Sequence, residues 1–380
     1  MASSPKYPLL PFAQFVYDST RWISWACMFN VTMRTREISL IQAKDIAQKV
    51  LGNHPVFQSR IDWRGRQYAT GEKVQLQGPY LNLKLWEEDG WLYIYITCHL
   101  VLLDGHSIYI IMDDIYRALK GKELEKDDYW EYVKSVEQHK LSPHYANSKA
   151  WLESEFADEN VPVRPTIDRR CLQTILLPKV GLHKDDYSNI YSQVRQFLSS
   201  QYLTMDGFFS LCTALAIAEY CGTNEAALTW AYDGRERPEE QRIFGSLHRD
   251  IPFKISNFKF QISNNKSALI RQARNQIRSG IAHSDYPYTL IPPCNKRWNY
   301  AVNVLRVPDI HLLVEQFPIP IELVSFPAQK YAYAILDVEI HESEPRLEIY
   351  YRYSAAHYKE SSIRRFASLV RKYAEWLLEK

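Results

Sequence analysis

The stretch Cys98-His99-Leu100-Val101-Leu102-Leu103-Asp104-Gly105-His106-Ser107 sets an imidazole a few residues ahead of an Asp-Gly pair. A histidine at the end of a strand can take or hold a proton at a reacting centre. An Asp-Gly turn behind it supplies a carboxylate that holds the local backbone. Cys98 is a nucleophile only if His99 activates it, and neighbouring residues of a strand point to opposite faces, which argues against that pairing. His106 is a second imidazole, placed just past the turn. On spacing alone, a histidine that follows a strand is more often a satisfied structural residue than a catalytic one.

The elements that must position these side chains are legible on both sides. Leu81, Leu83 and Leu85 alternate with polar residues, Asp89-Gly90 marks a tight turn, and Leu92, Ile94 and Ile96 resume the alternation. That pattern predicts a two-strand hairpin over Tyr80 to Thr97, its second strand running on to His99. Downstream, Ile108, Ile111, Met112, Ile115 and Leu119 recur at helical spacing, with Asp104 or Ser107 available as N-cap. Asp113 and Asp114 are adjacent on that helix and cannot present two carboxylates on one face.

Here the chain resembles the condensation domains of nonribosomal peptide synthetases, relatives of chloramphenicol acetyltransferase and other CoA-dependent acyltransferases, whose signature is His-His-x-x-x-Asp-Gly. Aligned without a gap, His99 takes the first, supporting position and Leu100 the catalytic one. Aligned on Cys98-His99 with one extra residue before Asp104, His99 becomes the catalytic imidazole. The resemblance gives Asp104 and Gly105 structural roles in either alignment.

Further segments carry the resemblance in family order. Ala231-Tyr232-Asp233-Gly234-Arg235-Glu236-Arg237-Pro238-Glu239 is similar to the family's Gly-Arg-x-x-Pro-Glu segment. Phe244 to Phe253 is similar to its Gly-x-x-x-Asn-x-x-Pro stretch, with Arg249 in the Asn place. His283-Ser284-Asp285-Tyr286-Pro287-Tyr288 is close to His-Gln-Asp-Tyr-Pro-Phe, and Asp128 to Val133 is a looser match to Tyr-x-Asp-Tyr. Asn53 to Ile61 resembles Arg-His-x-x-Leu-Arg-Thr-x-Phe. The family's arginine that pairs with the motif Asp is Gln58 here, so Asp104 needs another donor, either Arg60 or backbone N–H groups.

Composition narrows the field. The 380 residues are 46% hydrophobic and 13% aromatic, ample for one large domain or two lobes with their own cores. With 46 basic and 44 acidic residues, the net charge of +2 gives no reason to expect nucleic acid or an anionic membrane as partner. Six cysteines lie far apart with no Cys-x-x-Cys, which predicts neither a disulfide framework nor a metal site. The first residues show no charged segment followed by an apolar one, and the apolar run near Phe208 to Ala218 is too short to span a bilayer, so a cytoplasmic location is expected. The 26 tyrosines and 10 tryptophans are scattered and read as packing.

Helical patterns run over Leu40 to Leu51, from Asp128 through Phe156, over Phe208 to Tyr220, and from Ile363 to Leu377. Thr174 to Pro178, Leu336 to Ile340 and Leu347 to Tyr353 read as strands. Pro162 and Pro165 break the periodicity, so Asn160 to Pro165 is expected to link an N-terminal lobe (residues 1–165) to a C-terminal lobe (166–380).

The resemblance implies an α+β fold of two chloramphenicol-acetyltransferase-like lobes, arranged as a V with a tunnel between them. Cys98, Leu100, His106, His283 and Asp285 are then expected along the tunnel. It further implies transfer of an acyl or aminoacyl group from a carrier-protein thioester to an amine or hydroxyl, with no bound cofactor and the phosphopantetheine arm as substrate carrier. An acyl or peptidyl carrier protein is the expected partner, alongside other synthetase domains. The alternative is a catalytically silent condensation-like domain that docks a carrier protein or recruits an enzyme.

Overall fold

A two-residue strand, β1 (Tyr7–Pro8), begins the computed structural model and leads into α1 (Pro11–Thr20). The structure describes residues 5–20, 28–156, 158, 160–169, 179–257, 266–291, 301–325 and 335–379. β2 (Met28–Thr35) is followed by α2 (Leu40–Asn53), whose start is fixed reciprocally: the Gln42 N–H donates to Ser39 Oγ and the Ser39 N–H to Gln42 Oε1. The short strands β3 (Ser59–Ile61) and β4 (Arg66–Ala69) pair with each other, and β4 also pairs with β1. The expected hairpin forms from β5 (Leu81–Glu88) and β6 (Trp91–His99). Asp89 and Gly90 both take positive φ, 50° and 73°, as a two-residue hairpin turn requires. After it come α3 (Gly105–Leu119) and α4 (Tyr129–His139).

The helical pattern from Asp128 to Phe156 is two helices, because the chain breaks after α4 and restarts as α5 (Pro143–Phe156) with proline in its first position. β7 (Val180–Asp186), α6 (Tyr191–Gln201), α7 (Met205–Cys221), β8 (Ala226–Tyr232) and β9 (Arg249–Ile255) follow. The chain then forms α8 (Lys266–Ala282), β10 (Asn303–Arg306), α9 (Ile310–Glu315), β11 (Glu322–Ser325), the hairpin β12 (Leu336–Ser343) and β13 (Arg346–Ser354), and α10 (Glu360–Leu378). The strand expected at Thr174 to Pro178 lies outside the described residues. Among the described residues, no helix is long and apolar enough to cross a membrane.

Two compact units result, and neither is continuous in sequence. The first takes Met1–Leu141, Asp233–His248 and Pro308–Gln329; the second takes Ser142–Tyr232, Arg249–Val307 and Lys330–Lys380. The division after Leu141 differs from the linker expected at Asn160 to Pro165, for a physical reason. That segment is docked within the second unit: the Ala227 N–H donates to Pro162 O and the Val302 N–H to Val163 O, both at 2.9 Å. Val161 and Val163 are buried with Leu152 and Phe156 of α5, so α5 belongs to the second unit as well.

In the first unit an antiparallel sheet runs β11-β2-β6-β5. Its register opposes Phe29 to Cys98, Val31 to Ile96 and Met33 to Ile94, which places these side chains on one face. His99 belongs to the other face. α2 packs against β5 and α3, and α9 against α3 and β11. In the second unit a mixed six-stranded sheet runs β7-β13-β12-β10-β8-β9, with β10 parallel to β12 and β8. α7 is apolar all round and correspondingly buried from Gly207 to Ala218, while the stripe Ile363, Phe366, Val370, Tyr373 and Leu377 of α10 closes the same core.

Candidate functional site

The end of β6 shows how His99 is used. The Leu102 N–H donates to His99 O at 2.9 Å, closing a turn in which Leu100 follows the histidine. The Val101 N–H donates to His99 Nδ1 at 3.1 Å, so that nitrogen serves as an acceptor and the proton sits on Nε2. Nε2 lies 3.3 Å from Thr20 Oγ1, whose hydroxyl donates onward to Val16 O at 2.6 Å. The ring is 1% exposed and meets the ring of Tyr80 edge-on at 5.5 Å. Both nitrogens are therefore engaged by the fold. Leu100 is half-buried, more accessible than the histidine before it.

Cys98 is also 1% exposed, and it lies on the sheet face opposite His99, with Phe29. Burial pushes its thiol pKa up, which keeps it protonated and unreactive. The expectation that Cys98 is not activated by His99 follows directly from this alternation.

Asp104 is the N-cap of α3, with extended backbone at φ −126°. Its Oδ1 accepts from the Ser107 N–H and the Ser107 hydroxyl, both at 2.9 Å, and its Oδ2 accepts from the Leu247 and His248 N–H groups at 2.8 and 3.0 Å. Arg235 completes the shell as a fork, Nη1 to Oδ2 at 2.9 Å and Nη2 to Oδ1 at 3.2 Å. Burial pushes this carboxyl upward, but the Arg235 charge and the hydrogen bonds outweigh it and hold the pKa below the usual range. The remaining Arg235 donors reach Asp233 Oδ1 and the carbonyls of Ile243 and Gly245.

Of the two donors expected for Asp104, backbone N–H groups are present and Arg60 is not, its cationic place being taken by Arg235. Arg60 is exposed and pairs with Glu72 at 2.9 Å, and Gln58 donates to Gly52 O. The Arg235 side chain is fully buried, where it neutralises the carboxylate that caps α3. Arg237 does stay near solvent, paired with Glu240. Gly105 is the first residue of α3, directly after the Asp104 cap. His106, next along, sets Nδ1 3.0 Å from Asp233 Oδ2 and Nε2 3.1 Å from Gln241 O, so its two nitrogens also face protein acceptors.

A second charged cluster in this unit went unread in the sequence. His54 is fully buried, with Nδ1 2.8 Å from Asp127 Oδ2 and Nε2 3.1 Å from Asp114 Oδ2. Burial alone disfavours its charged form, but the two carboxylates outweigh that and raise its pKa. Arg242 neutralises the far side, pairing with Asp114 and with Asp113 at 2.9 Å, so these adjacent carboxylates meet one guanidinium despite the expectation that they face apart. The only sequence signal was an Asn-His-Pro triplet at the end of a helix.

His283 and Asp285 lie in the second unit. Ser148 of α5 donates to Asp285 Oδ1 at 2.6 Å and sits 3.2 Å from His283 Nδ1. The His283 ring stacks on Trp151 at 4.7 Å and lies 6.0 Å from that of His144. Burial and the neighbouring His144 lower its pKa, which favours the neutral ring. The serine bridges the histidine and the aspartate, rather than the histidine bridging the other two, so this is a latch between α5 and the end of α8 and not a nucleophile relay. Arg249 donates to Ser284 Oγ at 2.8 Å beside it.

Comparison with known proteins gives these observations a family. The model of the Condensation domain family matches residues 66–380. A search of curated proteins finds none that matches this sequence. Among solved structures, the epimerization domain from the third module of tyrocidine synthetase B superposes with a TM-score of 0.75 at 14% identity, over 99% of this chain and 98% of that one. The X-domain in its complex with OxyB from teicoplanin biosynthesis gives 0.76 at 13% identity, over 100% of this chain and 94% of that one. The condensation domain of the monacolin K polyketide synthase MokA gives 0.75 at 13% identity, over 99% and 98%. At such identities the likeness speaks for the fold, which is the α+β, chloramphenicol-acetyltransferase-like fold of these domains. Together with the family model over most of its length, it means that the chain belongs to the Condensation domain family.

Proposed function

We propose that this protein acts in nonribosomal peptide synthesis as a condensation-fold domain that binds, rather than as one that catalyses condensation through a general base. The observation that carries this reading is the occupancy of His99: one ring nitrogen accepts from Val101, the other is within reach of Thr20, and the ring is buried. Those restraints support reading His99 in the supporting place of the motif and Leu100 in the catalytic one. A general base is worth roughly 10²–10⁴ in rate, and a leucine forfeits all of it. Cys98 is protonated and buried, and His106 faces two acceptors, so neither supplies a substitute.

What is preserved favours binding. The Asp104–Arg235 brace is complete, which keeps the turn in shape with no base beside it. The partner on this reading is a carrier protein presenting its phosphopantetheine arm, or an enzyme acting on the carrier-bound chain. The neighbour solved as a complex of the X-domain and OxyB shows a domain of this fold holding another protein. A second reading, acyl transfer by positioning alone, rests on the same preserved brace, since a bound amine is already nucleophilic and alignment by itself lowers the barrier.

Titration with a phosphopantetheine-loaded carrier protein, followed by single-turnover transfer from its aminoacyl thioester to an amine, separates the readings. Saturable binding without transfer above the uncatalysed rate is the expected result. Transfer well above that rate by the wild-type chain would favour the second reading, and absence of any binding would defeat both.

A further inference from the structure

The first unit is hollow. Between the sheet β11-β2-β6-β5 and the helices α2, α3 and α9 lies a cavity of about 110 Å³. Among the described residues, every side chain that lines it is apolar, with Phe29 and Ile96 on the sheet, Ala47 on α2, Ile111 and Ile115 on α3, and Phe317 after α9 among them. More than half of the lining side chains keep accessible surface, although they belong to the layer that should be the core. A close-packed interior would bury them. The cavity is also elongated, since along α3 its wall extends from Ile108 to Leu119, about 16 Å at the rise of a helix.

From this geometry we propose that the cavity is a binding site for an unbranched aliphatic chain, such as the tail of a short or medium-length fatty acid. Apolar side chains such as these give a water molecule few of the two to four polar partners that a buried water needs. Apolar cavities of roughly 150 Å³ stay dry and take molecules of about six carbons, so the volume here holds a tail of about that size. An elongated slot with mostly aliphatic walls fits a chain better than a fused ring system. The site lies on the face of the sheet opposite His99 and next to Cys98, so it is separate from the imidazole and does not depend on acyl transfer.

Isoleucine-methyl NMR tests the site directly, because Ile94, Ile96, Ile111 and Ile115 line it while Ile41 stands exposed on α2. Titration with butanoate, hexanoate and octanoate should give saturable shifts at the four lining methyls and none at Ile41. Affinity should rise about fourfold per added methylene up to about six carbons, the factor that ~0.8 kcal/mol per buried CH₂ corresponds to, and then level off. Ala47→Leu, which fills the slot, should weaken hexanoate binding tenfold or more. Ile94→Phe does the same from the sheet side and serves where the first variant does not fold. Shifts that never saturate, shifts at Ile41 of equal size, or unchanged affinity in a folded filled variant would overturn the proposal.

Discussion

Replacing Arg235 with methionine removes a fully buried guanidinium and leaves a fully buried carboxylate behind. Asp104 keeps its bonds from Ser107, Leu247 and His248, so it does not become an orphan. It does lose the full positive charge that forks onto it, and the Ile243 and Gly245 carbonyls lose a donor each. Breaking a buried pair by removing one member costs about 3–5 kcal/mol. Spread over a unit of this size, that lowers the unfolding midpoint by on the order of 10 °C. The pH dependence has a definite sign. The folded-state pKa of Asp104 is depressed, so the stability it contributes is present above the unfolded carboxylate value near 3.9 and is lost as pH falls through the folded value. Without Arg235, burial is the dominant influence and the carboxyl pKa rises. The gap between wild type and Arg235→Met should therefore be widest near neutrality and narrow as the solution is acidified toward pH 4. Urea unfolding of both proteins across that range measures it, with Arg60→Met as a surface control worth no more than about 1 kcal/mol. A loss below about 1 kcal/mol for Arg235→Met at pH 7, or a gap that widens on acidification, would refute the reasoning.

Two other expectations concern buried groups. The raised pKa of His54 means that its pairs with Asp114 and Asp127 contribute fully below the unfolded histidine value near 6.5 and are lost as pH rises through the folded value. The stability difference between wild type and His54→Gln should thus shrink from pH 6 toward alkaline pH, and a constant difference in thermal unfolding would count against the ion-paired state. Cys98, protonated and buried, should resist iodoacetamide in the folded chain and react only after unfolding. Mass-spectrometric detection of stoichiometric labelling at Cys98 under native conditions would contradict its placement.

Local pattern was enough for the elements around the motif. Leucines at 81, 83 and 85, isoleucines at 94 and 96 and an Asp-Gly pair specify β5, the turn and β6 from neighbouring residues, and Asp104 with Ser107 specifies the start of α3. Partnership was not legible, because it depends on residues far apart in the chain. Arg235 and Asp104 are 131 positions apart, and a Gly-Arg dipeptide in a polar loop looks solvated until the fold surrounds it. β11 completes the first sheet from 288 positions away, as the Arg34–Glu322 bond shows, and four residues offer no alternation to detect. Asn160 to Pro165 misled for a related reason. Prolines mark a break in regular structure, and only the backbone bonds to Ala227 and Val302 reveal that the break is docked rather than free. The surroundings of His99 were likewise illegible, since the sequence does not record which way an imidazole points or what it meets.

Single-turnover transfer from a carrier-loaded aminoacyl thioester, compared among wild type, His99→Ala and Leu100→His, tests most directly the claim that no imidazole occupies the catalytic place. The account predicts no transfer above background by wild type, no further loss in His99→Ala, and a gain of about 10²–10⁴ in Leu100→His. Transfer by wild type that His99→Ala abolishes while the protein remains folded would contradict it, and would make His99 the working residue.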